Sequence, residues 1–157
     1  NGGDLLKIST KGRYGLRAAI DLAMYGGASA VSISSIAERQ QLSESYLEQL
    51  MAKLRKADIV TSVRGAQGGY ILKRSPKDIS VGDVLRALEG DLRPVDCLAI
   101  EDENETHCEN ADLCVTKYVW TRISESINDT VNSITLQDLL NQNKEKNSDE
   151  RICDCGL

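Results

Sequence analysis

Residues 32–60, SISSIAERQQLSESYLEQLMAKLRKADIV, decide how this chain folds. Ser35 followed by Glu38 has the spacing of a capping box, which opens a short helix running to about Gln40. Leu42-Ser43 makes a tight connection, and Ser43 is a natural N-cap for a second helix. In that helix Leu47, Leu50, Met51 and Leu54 fall at i, i+3, i+4 and i+7, a stripe made to be buried. The opposite face carries Ser45, Glu48, Gln49, Ala52, Lys53 and Lys56, all small or polar.

Two short helices joined by a few residues, the second presenting small polar side chains, form a helix-turn-helix arrangement. Such a helix fits a major groove, where Gln or Ser meets base edges and Lys meets phosphates. A helical hairpin in any small bundle has the same pattern, so the next segment matters. Asp58–Val63 is β-rich, Arg64-GAQGG supplies a flexible turn, and Tyr70–Arg74 returns as a second strand. This predicts a two-stranded wing with Arg64 and Gln67 near its tip, where a guanidinium can enter a narrow minor groove. A phosphate cradle would lead into a helix. YILK follows instead, which excludes a nucleotide site.

Working outward, Lys11–Tyr25 reads as a helix with Leu16, Ile20, Ala23 and Met24 on its inner face, ended by Gly26-Gly27. Ser80 and Asp83 cap another helix, with Val81, Val84, Leu85 and Leu88 as its stripe and Gly90 as its end. Val115 to about Ser133 reads as a long helix with a narrow stripe of Val119, Ile123, Ile127, Val131 and Ile134. That stripe suits one partner helix from a second subunit or a seat on its own domain. A short final helix spans residues 134–140, and the polar tail from 144 to 157 has the composition of disorder. The fold class expected is mainly α with a small β wing.

With 41% apolar and 27% charged residues among 157, the chain reads as a globular protein with one proper core. No run approaches the roughly 18 apolar residues that cross a bilayer. The start, NGGDLLKIST, does not read as a secretory signal, and residues 1–6 have no evident part in the fold. The net charge of −5 hides an asymmetry. Residues 1–94 carry 14 Lys and Arg against 10 Asp and Glu, whereas residues 95–157 carry 5 against 14. The front half can lie on phosphates, and the back half is repelled by them.

That acidic half holds Cys97, Cys108 and Cys114 together with His107, the only histidine. Without a secretory signal, free thiols point to metal or redox chemistry rather than disulfides. The spacing matches neither a zinc ribbon nor a ferredoxin run. Soft thiolates select zinc, copper(I) or iron-sulfur centres. Three thiolates leave a 2Fe-2S cluster one ligand short, and a centre held that way is readily lost, which suits a sensor. Inert thiols and a structural zinc site are the alternatives. Cys153-Asp-Cys155, in the polar tail, is read as incidental. No complete ligand set or CxxC supports an electron carrier or oxidoreductase, so no catalytic activity is expected.

STKGRYGLRAAIDLA, the run IAERQQLSESYLEQLMAKLRKADIVTSVRGAQGGY, VGDVLRALEG, the three cysteines and W-x-R-x-S together resemble the winged-helix iron-sulfur regulators of the IscR family. The resemblance spans Leu6 to about Asn143. It implies a bacterial cytoplasmic homodimer on near-palindromic double-stranded promoter DNA, with one 2Fe-2S cluster per subunit that alters operator choice, commonly at cluster-assembly genes. It makes Ser45, Glu48 and Gln49 the base readers and Arg64 the minor-groove residue, with Lys53, Lys56 and Gln67 beside them. No membrane or small-molecule substrate is implied. By position it divides the chain into a winged helix-turn-helix domain over 1–94, a cluster-binding loop over 95–114, a dimerisation helix and terminal helix over 115–143, and the tail. Two departures stand out. The family's cluster histidine, three residues after the last cysteine, is replaced by Lys117, which cannot ligate while protonated. The first two cysteines are also farther apart than in the best-known members. His107 becomes the first candidate for fourth ligand, with Glu101, Glu103, Glu105, Asp112 or a partner-subunit residue as alternatives. A nitric-oxide-sensing branch uses an N-terminal carboxylate where this chain has Arg13. Regulators of nitrosative stress or cysteine metabolism, or a zinc-stabilised DNA-binding protein, are the other functions of this pattern.

Overall fold

The computed structural model describes residues 8–94 and 114–146. Its elements, in chain order, are α1 (Thr10–Tyr25), α2 (Ile33–Gln40), α3 (Glu44–Lys56), β1 (Val60–Val63), β2 (Gly69–Leu72), a 3-10 turn at Pro76–Asp78, α4 (Val81–Glu89), α5 (Lys117–Ser133) and α6 (Leu136–Lys146). The architecture is a helical domain carrying one antiparallel two-stranded wing, paired from Val60↔Leu72 to Val63↔Gly69.

The helix-turn-helix forms with one correction at its start. The N-cap of α2 is Ser32, whose side chain accepts from the Ser35 amide at 3.2 Å; Ser35 itself lies in the first turn. The cause lies upstream. Val31 exchanges backbone hydrogen bonds with Tyr70 of the wing (2.9 and 2.8 Å), so the first residue free to turn is Ser32. Gln41 ends α2 in the left-handed region (φ 55°), and Ser43 caps α3 by accepting from the Tyr46 amide. Leu47, Leu50, Met51 and Leu54 are fully buried, as their spacing predicts. Each contributes about 1.5–3 kcal/mol of transfer free energy.

The wing is displaced slightly from its expected bounds. Asp58 adopts φ 57° in the turn out of α3 while the Ile59 amide still bonds the Leu54 carbonyl, so β1 begins at Val60. β2 starts at Gly69, where any Cβ would collide with the Val31 carbonyl that Tyr70 bonds.

The inner face of α1 differs from the expectation. Gly12, Gly15, Ala18, Ala19, Asp21 and Leu22 are buried, while Leu16, Ile20, Ala23 and Met24 are only half-buried at the flanks. Small residues face inward because α4 lies close: a Cβ at Gly15 would run into Leu88, and one at Gly12 into the Glu89 carboxylate. That carboxylate accepts from the Ser9 amide (3.0 Å), the Ser9 hydroxyl (2.5 Å) and the Gly12 amide (3.0 Å). The N-terminus of α1 is thus capped from α4, not by its own Ser9. In α4 the capping box of Ser80 and Asp83 forms as read, and Gly90 ends the helix at φ 83°.

The last two helices close the same core. Ile134 and Thr135 run extended beside Ile79–Val81, with Val81 N donating to Ile134 O (2.8 Å) and Leu136 N to Ile79 O (2.9 Å). Leu136 is fully buried among the residues of α1, α3 and α4, so α6 belongs to the winged domain's core rather than to a separate C-terminal unit. α6 also continues to Lys146, past the expected boundary at 143, and the rest of the tail lies outside the described residues. α5 begins at Lys117, two residues after the expected start, and buries no residue.

Candidate nucleic-acid interface

The outward face of α3 follows from its inward one. With Leu47, Leu50, Met51 and Leu54 sealed in the core, the 3.6-residue repeat turns Ser45, Glu48, Gln49, Ala52, Lys53 and Lys56 to solvent, and all are exposed. Arg55, which sequence reasoning passed over, joins Lys53 and Lys56 in the last turn, where cations also favour the helix's negative end. Its signal was the same charge pattern that singled out its two neighbours. Arg64 and Gln67 stand exposed on the turn between the strands, a turn closed by the Gly68 amide on the Gly65 carbonyl at 3.0 Å. Gly65, at φ 118°, takes a backbone shape that other residues avoid. At the wing's foot Lys73 pairs with Asp58 at 2.5 Å, which holds the Asp58 carboxyl below its ordinary range, first through that hydrogen bond and then through charge.

What holds this head in shape is a buried polar junction that periodicity could not reveal. Asp21 of α1 is fully buried and accepts from Arg39 Nε (2.9 Å), Arg39 Nη2 (2.7 Å) and Gln40 Nε2 (2.8 Å) of α2. Gln40 in turn accepts from Arg17 Nε at 3.0 Å, and the Arg39 guanidinium lies over the Tyr25 ring, 4.2 Å from its centre.

Of the residues read as metal ligands, the structure describes Cys114; Cys97, His107 and Cys108, and the alternatives Glu101, Glu103, Glu105 and Asp112, lie outside the described residues. Among the described residues no group of three His, Cys, Asp or Glu side chains could hold a metal ion. Cys114 sits just before α5, with Sγ 3.1 Å from the Thr116 hydroxyl. The Thr116 hydroxyl, followed by the Lys117 backbone amide, pulls the thiol below its ordinary pKa. This favours the thiolate, the form that binds metals. Lys117, at the resembled family's histidine position, is the first residue of α5 and half-buried.

Between α5 and the end of α4 runs an open groove of about 1120 Å³, lined mainly by Leu85, Leu92, Tyr118, Ile123, Ile127 and Val131. Apolar side chains around the start of α5 stand in solvent: Val115, just before the helix, is 88% exposed, Tyr118 71% and Val119 48%. Among the described residues no helix is long and apolar enough to cross a membrane.

Comparison with known proteins agrees with this geometry. The model of the Rrf2 family, described as an iron-dependent transcriptional regulator, matches residues 8–142. The transcriptional regulator CymR of Bacillus subtilis is 46% identical over 134 residues, which cover 85% of this chain and 89% of that protein. Its solved structure, titled the global cysteine regulator of B. subtilis, superposes with a TM-score of 0.70 over 87% of this chain and 98% of CymR. The structure of T. potens IscR is 48% identical, with a TM-score of 0.70 over 91% of this chain and 93% of that one.

Proposed function

Because this chain belongs to the Rrf2 family of transcriptional regulators, we propose that it reads operator DNA as a homodimer and that its choice of operator depends on a 2Fe-2S cluster. Its role is regulatory rather than catalytic, as the relatives are named transcriptional regulators. The reading rests above all on one observation: a helix and a wing, built on one core, that turn mainly polar and basic side chains outward. Ser45, Glu48 and Gln49 meet base edges in the major groove, Lys53 and Lys56 the phosphates, and Arg64 with Gln67 the adjacent minor groove. A carboxylate at Glu48 accepts from cytosine and repels phosphate oxygens, so it sharpens selection.

The homodimer is supported by Val115, Tyr118 and Val119, apolar side chains left exposed around the start of α5, where a partner helix would cover them. Cytoplasmic residence follows from the DNA target and from thiols that an oxidising compartment would pair. For the cluster, the described donor fits: Cys114 is held toward its thiolate form by the Thr116 hydroxyl and then by the Lys117 backbone amide. Cys97 and Cys108 complete the thiolate set, and His107 is the fourth ligand. A cluster so held supplies sensitivity to iron supply and oxidants. Genes of iron-sulfur cluster assembly are the corresponding targets.

The similarity to CymR favours a second reading, a cluster-free regulator of cysteine metabolism on the same fold. Anaerobic reconstitution with iron and sulfide separates them. The cluster reading expects visible charge-transfer absorbance and different operators selected by the loaded and stripped forms. A colourless protein with one operator preference under all conditions refutes it, and one zinc per chain in such a protein assigns the thiols to a structural site.

A further inference from the structure

We propose that Arg86 is a positioning residue through which the seat of α5 on α4 sets the pitch of the wing. The proposal rests on the DNA-binding reading above, because the wing matters only if its tip meets DNA.

Arg86 projects from α4 toward α5, donating from Nη1 to Asn128 Oδ1 at 3.2 Å and from Nη2 to Asn132 Oδ1. Gly82, one turn earlier, makes room: a Cβ there would lie 2.6 Å from Arg86 Nη2 and inside the Asn132 amide. The same Nη2 lies 3.9 Å from Asp83 Oδ1. The other oxygen of Asp83 accepts from the Ser80 amide at 3.1 Å and lies 3.8 Å from the Arg74 guanidinium. Arg74 follows β2 by two residues and donates to the Asp78 carbonyl at 3.1 Å. One carboxylate therefore stands between two guanidiniums, one fastened to the long helix and the other to the foot of the wing.

The backbone repeats this junction. Ile79–Val81, which carries the chain out of the wing, is also the segment to which Ile134 and Leu136 bond, so the C-terminal end of α5 is pinned at the wing's foot. At the opposite end Val115, Tyr118 and Val119 are exposed. A rod held at one end and open at the other acts as a lever. A tilt that withdraws Asn128 and Asn132 frees Arg86 to draw Asp83 from Arg74, and the wing shifts with Arg74. Each contact is part-exposed and individually weak, so the effect is graded. By linkage, a wing held by DNA biases α5 in return.

The test uses the full chain. In Arg86→Gln, the amide resonances of Gly65, Gly68 and Gly69 are expected to move although all three lie in the wing. In Arg74→Gln, the emission of Trp120, the chain's single tryptophan and a residue of α5, is expected to change. Asn132→Ala cuts the same link from the α5 side and should reproduce the glycine shifts, which decides the matter if Arg86→Gln does not fold. With duplexes selected in vitro against the full chain, Arg86→Gln should weaken A·T-flanked sites about two- to fivefold, and this loss should vanish in an Arg64→Ala background. Shifts confined to α4 and α5, or losses that add to that of Arg64→Ala, overturn the proposal. Coupled resonances in a protein that selects no duplex would refute the DNA-binding reading and leave the coupling standing.

Discussion

Replacing Asp21 by Ala tests the junction that holds the reading head together. Three hydrogen bonds end on this fully buried carboxylate, two from Arg39 and one from Gln40. The Asp21 hydrogen bond, with charge attraction behind it, also raises the Arg39 pKa. Without the carboxylate, Gln40, only 5% exposed, loses the acceptor of its amide, which costs about 1–3 kcal/mol. Arg39 escapes the full penalty of a stranded buried charge, about 3–5 kcal/mol, because its side chain is 33% exposed and can turn to water. The expected loss is then about 2–4 kcal/mol. Against a total of roughly 5–15 kcal/mol this is large, and it should lower Tm by about 5–15 °C. Urea denaturation should show a lower midpoint at unchanged slope. Arg39→Met in the same chain should recover part of the loss, since replacing both partners removes the imbalance. A loss under about 0.5 kcal/mol, or simple additivity of the Asp21 and Arg39 substitutions, would refute the reasoning.

Gly15→Val should destabilise by about 1–3 kcal/mol by forcing α1 away from Leu88, measured by thermal denaturation; an unchanged Tm would mean that the α1–α4 approach is looser than described. Arg64→Ala should weaken binding chiefly at A·T-narrowed sites, and equal loss on every duplex would reduce it to a phosphate contact. Cys108→Ala should abolish visible absorbance after reconstitution yet leave a folded dimer by sedimentation; an unfolded product would make the thiols structural. The Asp138 carboxyl, held below its ordinary range by the Thr135 amide and then the Thr135 hydroxyl, stabilises the start of α6 above the usual carboxylate range. That contribution is lost as pH falls through the lowered value, so carboxyl NMR should show Asp138 titrating below a model aspartate, and an ordinary titration would deny the cap.

Where the physics is periodic, the residues announced the structure. The α3 stripe needed only the 3.6-residue repeat, and its exposed face followed without further information. The wing was legible because glycine and β-branched runs alternate at hairpin spacing. α1 misled for a specific reason. Its large side chains suggested one inner face, but the close approach of α4 selected glycine and alanine instead, a choice set by a neighbour about seventy residues away. The α2 cap slipped by three residues for the same kind of cause, a backbone pairing of Val31 with the wing. Glu89, Asp21 and Arg86 carry no local signature at all, since each acts on an element distant in sequence.

The fate of α6 shows how such tertiary contacts alter a functional argument. Composition divides the chain at Pro94 into a basic half and an acidic half. Leu136 crosses that division, entering the core beside Ile79 and Val84, and the strand-like step from Ile134 to Thr135 ties the end of α5 to the segment leaving the wing. A responding helix tethered by a flexible linker could tilt without consequence for DNA. One whose end is built into the winged domain cannot, because a rotation at Ser133 must be absorbed either by the buried Leu136 or by the Ile79–Val81 step. Ile79 and Val81 are themselves buried, so the backbone step and Leu136 belong to one packed unit that resists continuous deformation. Under the proposed coupling, motion of α5 reaches the foot of the wing through that step and through the contacts of Arg86, Asp83 and Arg74. If the chain reads DNA as proposed, minor-groove contact at the flanks of a site is the variable that this coupling would alter.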